Sequence, residues 1–167
     1  MKELVERAKN YDEQAFDELI LSMEKEMYLI AKSRLRNEED IADAIQETIL
    51  SCYKNIHKLK HNELFSSWTI RILINKCNDI YKKRKKQEIS LDKEYIEMMD
   101  NPNAHESNIS FFMIIRNLSE EEKTILTMYY YFQYTTKEIS KILKIKENTI
   151  KSKIVRAKNK LRNELGG

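Results

Sequence analysis

The chain has 167 residues, 34% of them charged, a net charge of +3, only two glycines and a single proline. So few turn-formers argue against strands and for an all-α protein, of a length that makes one ordinary domain or two small ones. No apolar run reaches membrane-spanning length and the N-terminus MKELVERAKN is too charged for a signal peptide, so a cytoplasmic protein is expected.

The first expected element is a short helix from Lys2 to Ala8. Asp12 then opens a long amphipathic helix whose core face is Phe16, Leu19, Ile20, Met23, Met27 and Ile30, broken at Asn37. A third helix begins with Glu38, Glu39 and Asp40, three carboxylates in a first turn where the macrodipole favours them. Its apolar face is Ile41, Ala44, Ile45, Thr48, Ile49, Cys52 and Ile56. The segment His57 to Ser67 lacks helical periodicity and reads as a loop. A fourth helix starts near Phe65 to Trp68, with Arg71, Asn75 and Asp79 at four-residue steps and a basic run from Lys82 through Lys83 and Arg84 to Lys86. Aromatics beside amides and cations suit unstacked bases, since every base has a π-face and phosphates supply affinity; a core role for Trp68 is the equal alternative.

Periodicity fails from Gln87 to about Ser107, around Asp100 to Asn103 and the only proline, so residues 87–107 read as a flexible linker. A helix is expected near Asn108 to Asn117. Ser119 with Glu122 makes a capping box that opens another, running through Ile125, Leu126 and the aromatics Tyr129 to Phe132, which are expected in the core. Thr135 with Glu138 makes a second box before Ile139, Ile142 and Leu143. After a short turn Asn148 is the expected cap of a last helix with the apolar stripe Ile150, Ile154, Ala157 and Leu161. From Lys144 to Arg162 there are eight Lys/Arg and one acid. This spacing matches a helix-turn-helix whose second helix enters the major groove, with Lys158 and Lys160 on the backbone. Two small helical domains, 1–86 and 108–165, therefore flank the linker, and the C-terminal one is a helix-turn-helix.

Charge is segregated to match. Residues 1–60 hold 10 basic and 13 acidic side chains, whereas 101–167 hold 12 and 7. An acidic end suits a protein partner and a basic end nucleic acid. Cys52, Cys77, His57, His61 and His105 form no metal-ligand spacing, and no phosphate loop or activated nucleophile stands out. No cofactor, metal site or enzymatic activity is expected.

These residues closely resemble a family. DIADAIQETIL with Asp43, Gln46 and Glu47, followed by Phe65, Trp68, Arg71, Ile72, Asn75 and Asp79, is similar to domain two of the extracytoplasmic-function (ECF) sigma factors of bacterial RNA polymerase. LSEEEKTIL followed by TTKEISKILKIKENTIKSKIVRAKNKL is similar to their domain four. The resemblance implies a sigma factor: domain two at 1–86, a linker at 87–107 and domain four at 108–165. It implies core polymerase contacts at Asp40, Asp43, Gln46 and Glu47, against the clamp of the largest subunit, with the flap of the second subunit as a further partner. Minus-10 DNA would meet Phe65, Trp68, Arg71, Asn75, Asp79, Lys82, Lys83 and Arg84, and the loop His57 to Ser67 would capture a flipped base. Minus-35 DNA would meet Asn148, Thr149, Lys151, Ser152, Lys153, Val155 and Arg156. An anti-sigma factor, usually membrane-anchored, is implied as well, and the short tail after the last helix is expected to leave no room for a sensory domain. A stand-alone helix-turn-helix regulator is the alternative, but residues 1–86 spend their unusual side chains on aromatics and cations rather than on a ligand pocket. A helical adaptor without DNA leaves the basic helices unexplained.

Overall fold

Helix α1 (Lys2–Lys9) and helix α2 (Glu13–Lys32) meet at a tight corner, where Tyr11 takes a left-handed φ of 65°. The Asp12 carboxylate accepts the Ala15 N–H at 3.0 Å, so the expected cap starts α2. A computed structural model describes residues 1–88 and 106–166. Phe16, Leu19, Met23, Met27 and Ile30 are buried and Ile20 half-buried, as a 3.6-residue period dictates. α2 ends at Lys32, before the expected break at Asn37; Asn37 instead caps α3 (Glu38–Asn55), accepting the Asp40 N–H at 2.8 Å. Thr48 lies fully buried on α3 and donates its hydroxyl to the Ala44 carbonyl at 2.7 Å, which makes that burial tolerable.

The expected loop His57 to Ser67 is more ordered than its sequence suggests. It contains two 3-10 turns, Ile56–Lys58 and Asn62–Leu64, and its last three residues already belong to α4 (Phe65–Glu88). Tertiary contacts fasten it: Lys9 donates to Asn62 Oδ1 at 3.1 Å and Asn62 donates to Glu6 at 2.8 Å. α2, α3 and α4 pack together around Leu19, Met27, Ile41, Ala44, Leu73 and Cys77. α4 continues through Gln87, so the expected linker starts later than 87; its features at Asp100 to Asn103, and His105, lie outside the described residues.

The second unit contains α5 (Glu106–Ile115), which begins two residues earlier than expected, and α6 (Glu120–Leu126). Both expected capping boxes form. Ser119 Oγ accepts the Glu122 N–H while Glu122 accepts the Ser119 N–H, and Thr135 and Glu138 reciprocate in the same way ahead of α7 (Thr136–Leu143). Between them α6 widens into a π-helical turn, Thr127–Tyr131. The extra residue per turn shifts the register, so Tyr129 and Phe132 pack half-buried against the core as expected, Tyr131 is half-buried, and Tyr130 is exposed, contrary to its expected place in the core. α8 (Glu147–Gly166) buries Ile150, Ile154 and Ala157. It starts at Glu147, so Asn148 is a first-turn residue rather than the expected cap. No strand occurs among the described residues.

Candidate functional site

Three exposed surfaces carry the chemistry. On α3, Asp43, Gln46 and Glu47 all face solvent, opposite the buried Ile41, Ala44 and Thr48. Leu50, 58% exposed, extends the same stripe by one turn, since 43, 46, 47 and 50 step by 3, 1 and 3. That spacing was legible in the sequence and Leu50 was missed. Glu47 pairs with Lys76 of α4 at 3.1 Å, so part of its charge is already answered. Asp40 departs from the expected contact set. It is only 6% exposed and accepts a fork of hydrogen bonds from Arg84, at 2.8 to 3.1 Å, together with one from Asn37 at 2.9 Å. Its carboxylate joins the start of α3 to the end of α4 and offers no exposed face to a partner.

α4 presents Trp68, Ile72, Asn75, Asp79, Lys82 and Lys86 at steps of 4, 3, 4, 3 and 4, one stripe along the helix. Asn75, Asp79, Lys82 and Lys83 are exposed; Trp68 and Arg71 are half-buried. The Arg71 Nε is buried without a hydrogen-bond partner among the described residues, beside this stripe. Two expected minus-10 residues are engaged within the fold instead, Phe65 in the core and the partly exposed Arg84 in an ion pair. Phe65 is 0% exposed, its ring 6.1 Å from that of Trp68, because the first turn of α4 closes the helical core. Arg84 is turned back to Asp40. The sequence hid this pair because its members lie 44 residues apart.

In the helix-turn-helix, α7 ends on Lys144 with a left-handed φ of 57°. Ser140 ties the turn at both ends: its carbonyl accepts the Ile145 N–H at 3.2 Å and its hydroxyl donates to the Ile145 carbonyl at 2.6 Å. α8 then exposes Asn148, Lys151, Ser152, Val155 and Arg156 on the side away from Ile150, Ile154 and Ala157, with Thr149 half-buried. Val155 is 56% exposed, an apolar contact suited to a thymine methyl. The Glu147 carboxylate accepts the Thr136 hydroxyl at 2.8 Å and lies 3.2 Å from Lys151. These two partners, in that order, hold it below the usual carboxylate range. Glu147 thus joins α7 to α8 and steadies Lys151, a role its i, i+4 spacing could have revealed.

Lys153 and Lys160 differ from expectation. Lys153 donates to Glu121 at 2.7 Å and Lys160 to Glu122 at 2.7 Å, so both brace α8 against α6. Burial disfavours the Glu122 charge, but Lys160 and the Ser119 N–H and hydroxyl outweigh it and hold the carboxyl below its ordinary value. Lys158 stays exposed, 5.9 Å from the centre of the Tyr130 ring. No group of three or more His, Cys, Asp or Glu among the described residues could hold a metal, and no described helix is long and apolar enough to cross a membrane.

Comparison with known proteins finds both halves. The Sigma-70 region 2 family matches residues 19–87, and Sigma-70, region 4 matches residues 110–161. The chain is 25% identical over 155 residues to the ECF RNA polymerase sigma factor SigM of Mycobacterium tuberculosis, covering 93% of this chain and 79% of that one. It is 26% identical over 181 residues to the ECF RNA polymerase sigma factor SigW of Bacillus subtilis, covering 99% and 96%. In fold it is similar to CnrH, solved in complex with the cytosolic domain of CnrY, with a TM-score of 0.73, 18% identity and coverage of 99% and 96%. It is likewise similar to the sigma factor RpoE of Bartonella quintana, solved with the anti-sigma factor NepR, with a TM-score of 0.75, 18% identity and coverage of 90% and 96%.

Proposed function

The chain belongs to the ECF sigma factors, and on that premise we propose that it binds core RNA polymerase, recognises minus-35 and minus-10 promoter elements and promotes DNA melting. The observation that carries this is the order of surfaces on one chain: the acidic face of α3, the amide-and-cation stripe of α4, then the basic recognition helix α8, within matches to regions 2 and 4. Residues 1–86 act as domain two and 108–165 as domain four. Asp43, Gln46 and Glu47 dock on the clamp of the largest polymerase subunit, and domain four meets the flap of the second subunit. Trp68, Arg71, Asn75, Asp79, Lys82 and Lys83 bind minus-10 DNA. Asn148, Thr149, Lys151, Ser152, Val155 and Arg156 bind the minus-35 element.

The mechanism has no covalent step. Attraction to phosphates supplies much of the affinity and contacts to base edges supply the choice. Melting follows because the protein binds the unstacked strand more tightly than the duplex, against a cost of about a few kcal/mol per extruded base. Trp68, half-exposed at the head of the α4 stripe, is the stacking partner such a base requires. Regulation is by an anti-sigma factor, a reading supported by the anti-sigma partner of the similar RpoE. We place the protein in the cytoplasm, held at the inner face of the membrane when that anti-sigma factor is anchored there.

Purified protein added to core polymerase should give specific run-off transcription from the promoter upstream of its own gene. Transcription that never exceeds that of core alone on any candidate promoter would overturn the reading.

A further inference from the structure

One carboxylate stands among the groove-facing side chains of the basic helix α8. Between Lys144 and Arg162 the eight Lys/Arg are joined by a single acid, Glu147. It is the first residue of α8. Positions 147, 148, 151, 152 and 155 step by 1, 3, 1 and 3, so Glu147 shares a side of the helix with Asn148, Lys151, Ser152 and Val155, away from the buried Ile150, Ile154 and Ala157. The N-terminal residues of a recognition helix are the ones that reach base edges. A carboxylate there repels the phosphates on which affinity depends, so what it can contribute is selectivity.

The local geometry holds this carboxylate in a defined pose. Its Oε1 accepts the Thr136 hydroxyl at 2.8 Å and lies 3.2 Å from Lys151 Nζ. Thr136 is the first residue of α7, so the anchor comes from the other helix of the pair. Because Thr136 and then Lys151 hold the group below the usual carboxylate range, it stays charged at neutral pH. The second oxygen, Oε2, has no protein partner among the described residues, and the two side chains remain open to solvent, 39% for Glu147 and 58% for Lys151. An exposed pair four residues apart adds little to stability, so bracing the helix is a minor part of what it does.

A fixed acceptor beside a fixed donor matches one kind of base-pair edge. In the major groove guanine offers the acceptors N7 and O6, and its cytosine offers the N4 amino donor. An ammonium over guanine and a carboxylate over cytosine satisfy both bases at once. A·T in the same orientation puts the adenine amino group under the ammonium and thymine O4 under the carboxylate, and C·G is mismatched in the same way. Each sets like polarity against like. T·A keeps acceptor and donor in order but has the thymine methyl in place of guanine N7, one bond fewer.

We propose that Glu147 and Lys151 act as one reading unit that selects a G·C pair at a single minus-35 position, Lys151 on the guanine and Glu147 on its cytosine. Glu147 works chiefly by rejecting thymine or guanine in the place of that cytosine. The proposal rests on the sigma-factor reading and deepens it at the minus-35 site.

The test is holoenzyme binding to duplexes carrying each of the four base pairs at each minus-35 position, with an unrelated duplex as reference, for the wild type and Glu147→Gln. Glutamine keeps an oxygen for Thr136 and loses the charge. At one position the wild type should prefer G·C over A·T and C·G by about tenfold or more. In Glu147→Gln that ratio should fall to about threefold or less at that position alone, while binding to the unrelated duplex strengthens as a negative charge leaves. Lys151→Ala should lose the preference at the same position, and adding Glu147→Gln to it should change that preference little further. An unchanged base profile in Glu147→Gln overturns the proposal, whether or not its urea midpoint falls, and so does a uniform loss at all positions. It is also overturned if the two single variants act at different positions, or if the wild type selects bases but G·C at none of them. A wild type that selects no base at any minus-35 position would instead fault the sigma-factor reading.

Discussion

Arg156 and Lys158 sit two residues apart on α8 and face different tasks. Arg156 is exposed on the side opposite Ile150, Ile154 and Ala157, with its Nε 3.4 Å from the Ser152 carbonyl, a weak tie that a base edge can replace. Arg156→Ala should cost about 1–3 kcal/mol of minus-35 affinity and relax preference at one or two positions. Lys158→Ala should weaken binding to all sequences alike and flatten the salt dependence, as loss of a phosphate contact does. Both are read by holoenzyme binding to a set of minus-35 variants; a uniform loss for Arg156→Ala would make it a phosphate clamp. A second test at this scale concerns Glu122, whose folded value is lowered by Lys160 and Ser119 despite its burial. A lowered carboxylate contributes stability that is present above its unfolded value and lost as pH falls through the folded one. Glu122→Gln should therefore flatten the acid limb of a plot of urea midpoint against pH, with the two proteins converging at low pH. Parallel curves would show that Glu122 is not the group responsible.

At the scale of elements, the fork from Arg84 to Asp40 ties the end of α4 to the first turn of α3. Asp40 is nearly buried while Arg84 is partly open to water, so the pair is worth more than a surface bridge and less than a fully buried one. Asp40→Asn should destabilise by about 1–3 kcal/mol in urea denaturation, from the lost charge-assisted bonds. Unchanged stability would reinstate Asp40 as a contact residue. The neighbouring face of α3 behaves differently. Asp43→Lys with Glu47→Lys should weaken core polymerase binding while far-UV circular dichroism stays unchanged, because both side chains are exposed and only the Glu47 bridge to Lys76 is lost. Unaltered polymerase affinity would move the docking site elsewhere.

At the scale of the whole molecule, the two units share one hydrophobic core, and the Ser33 and Thr124 hydroxyls meet at 2.8 Å beside the Tyr134 to Glu26 hydrogen bond, so this seam between α2 and the C-terminal unit should make unfolding cooperative. Trp68 is the sole tryptophan and lies in the first unit, so its fluorescence reports that unit, whereas circular dichroism reports all helices. The two signals should coincide for the wild type and separate when Thr124→Val and Tyr134→Phe remove the hydroxyls that reach α2. Coincident curves in the double variant would mean that the seam does not couple the units.

Periodicity and capping are local, and what depends on them was legible in the sequence by itself. The buried faces of α2 and α3, the Asp12 cap, the two capping boxes and the apolar stripe of α8 follow from residues three or four apart, whose free energies do not wait for the rest of the chain. The exposed positions Asp43, Gln46, Glu47, Asn75, Asp79, Lys151, Ser152 and Arg156 follow from the same periods. Only tertiary structure decided which charged side chains remain free. Asp40 with Arg84, Lys153 with Glu121 and Lys160 with Glu122 are partners 44, 32 and 38 residues apart, and no local pattern announces them. Phe65 reads as a stacking aromatic until the helical core closes over it, and the π-helical turn, set by packing against α2, rotates Tyr130 to the surface. The physical reason is the same each time. A helix is specified by its own neighbours, but whether a cation faces DNA or a carboxylate depends on which helix is folded against it.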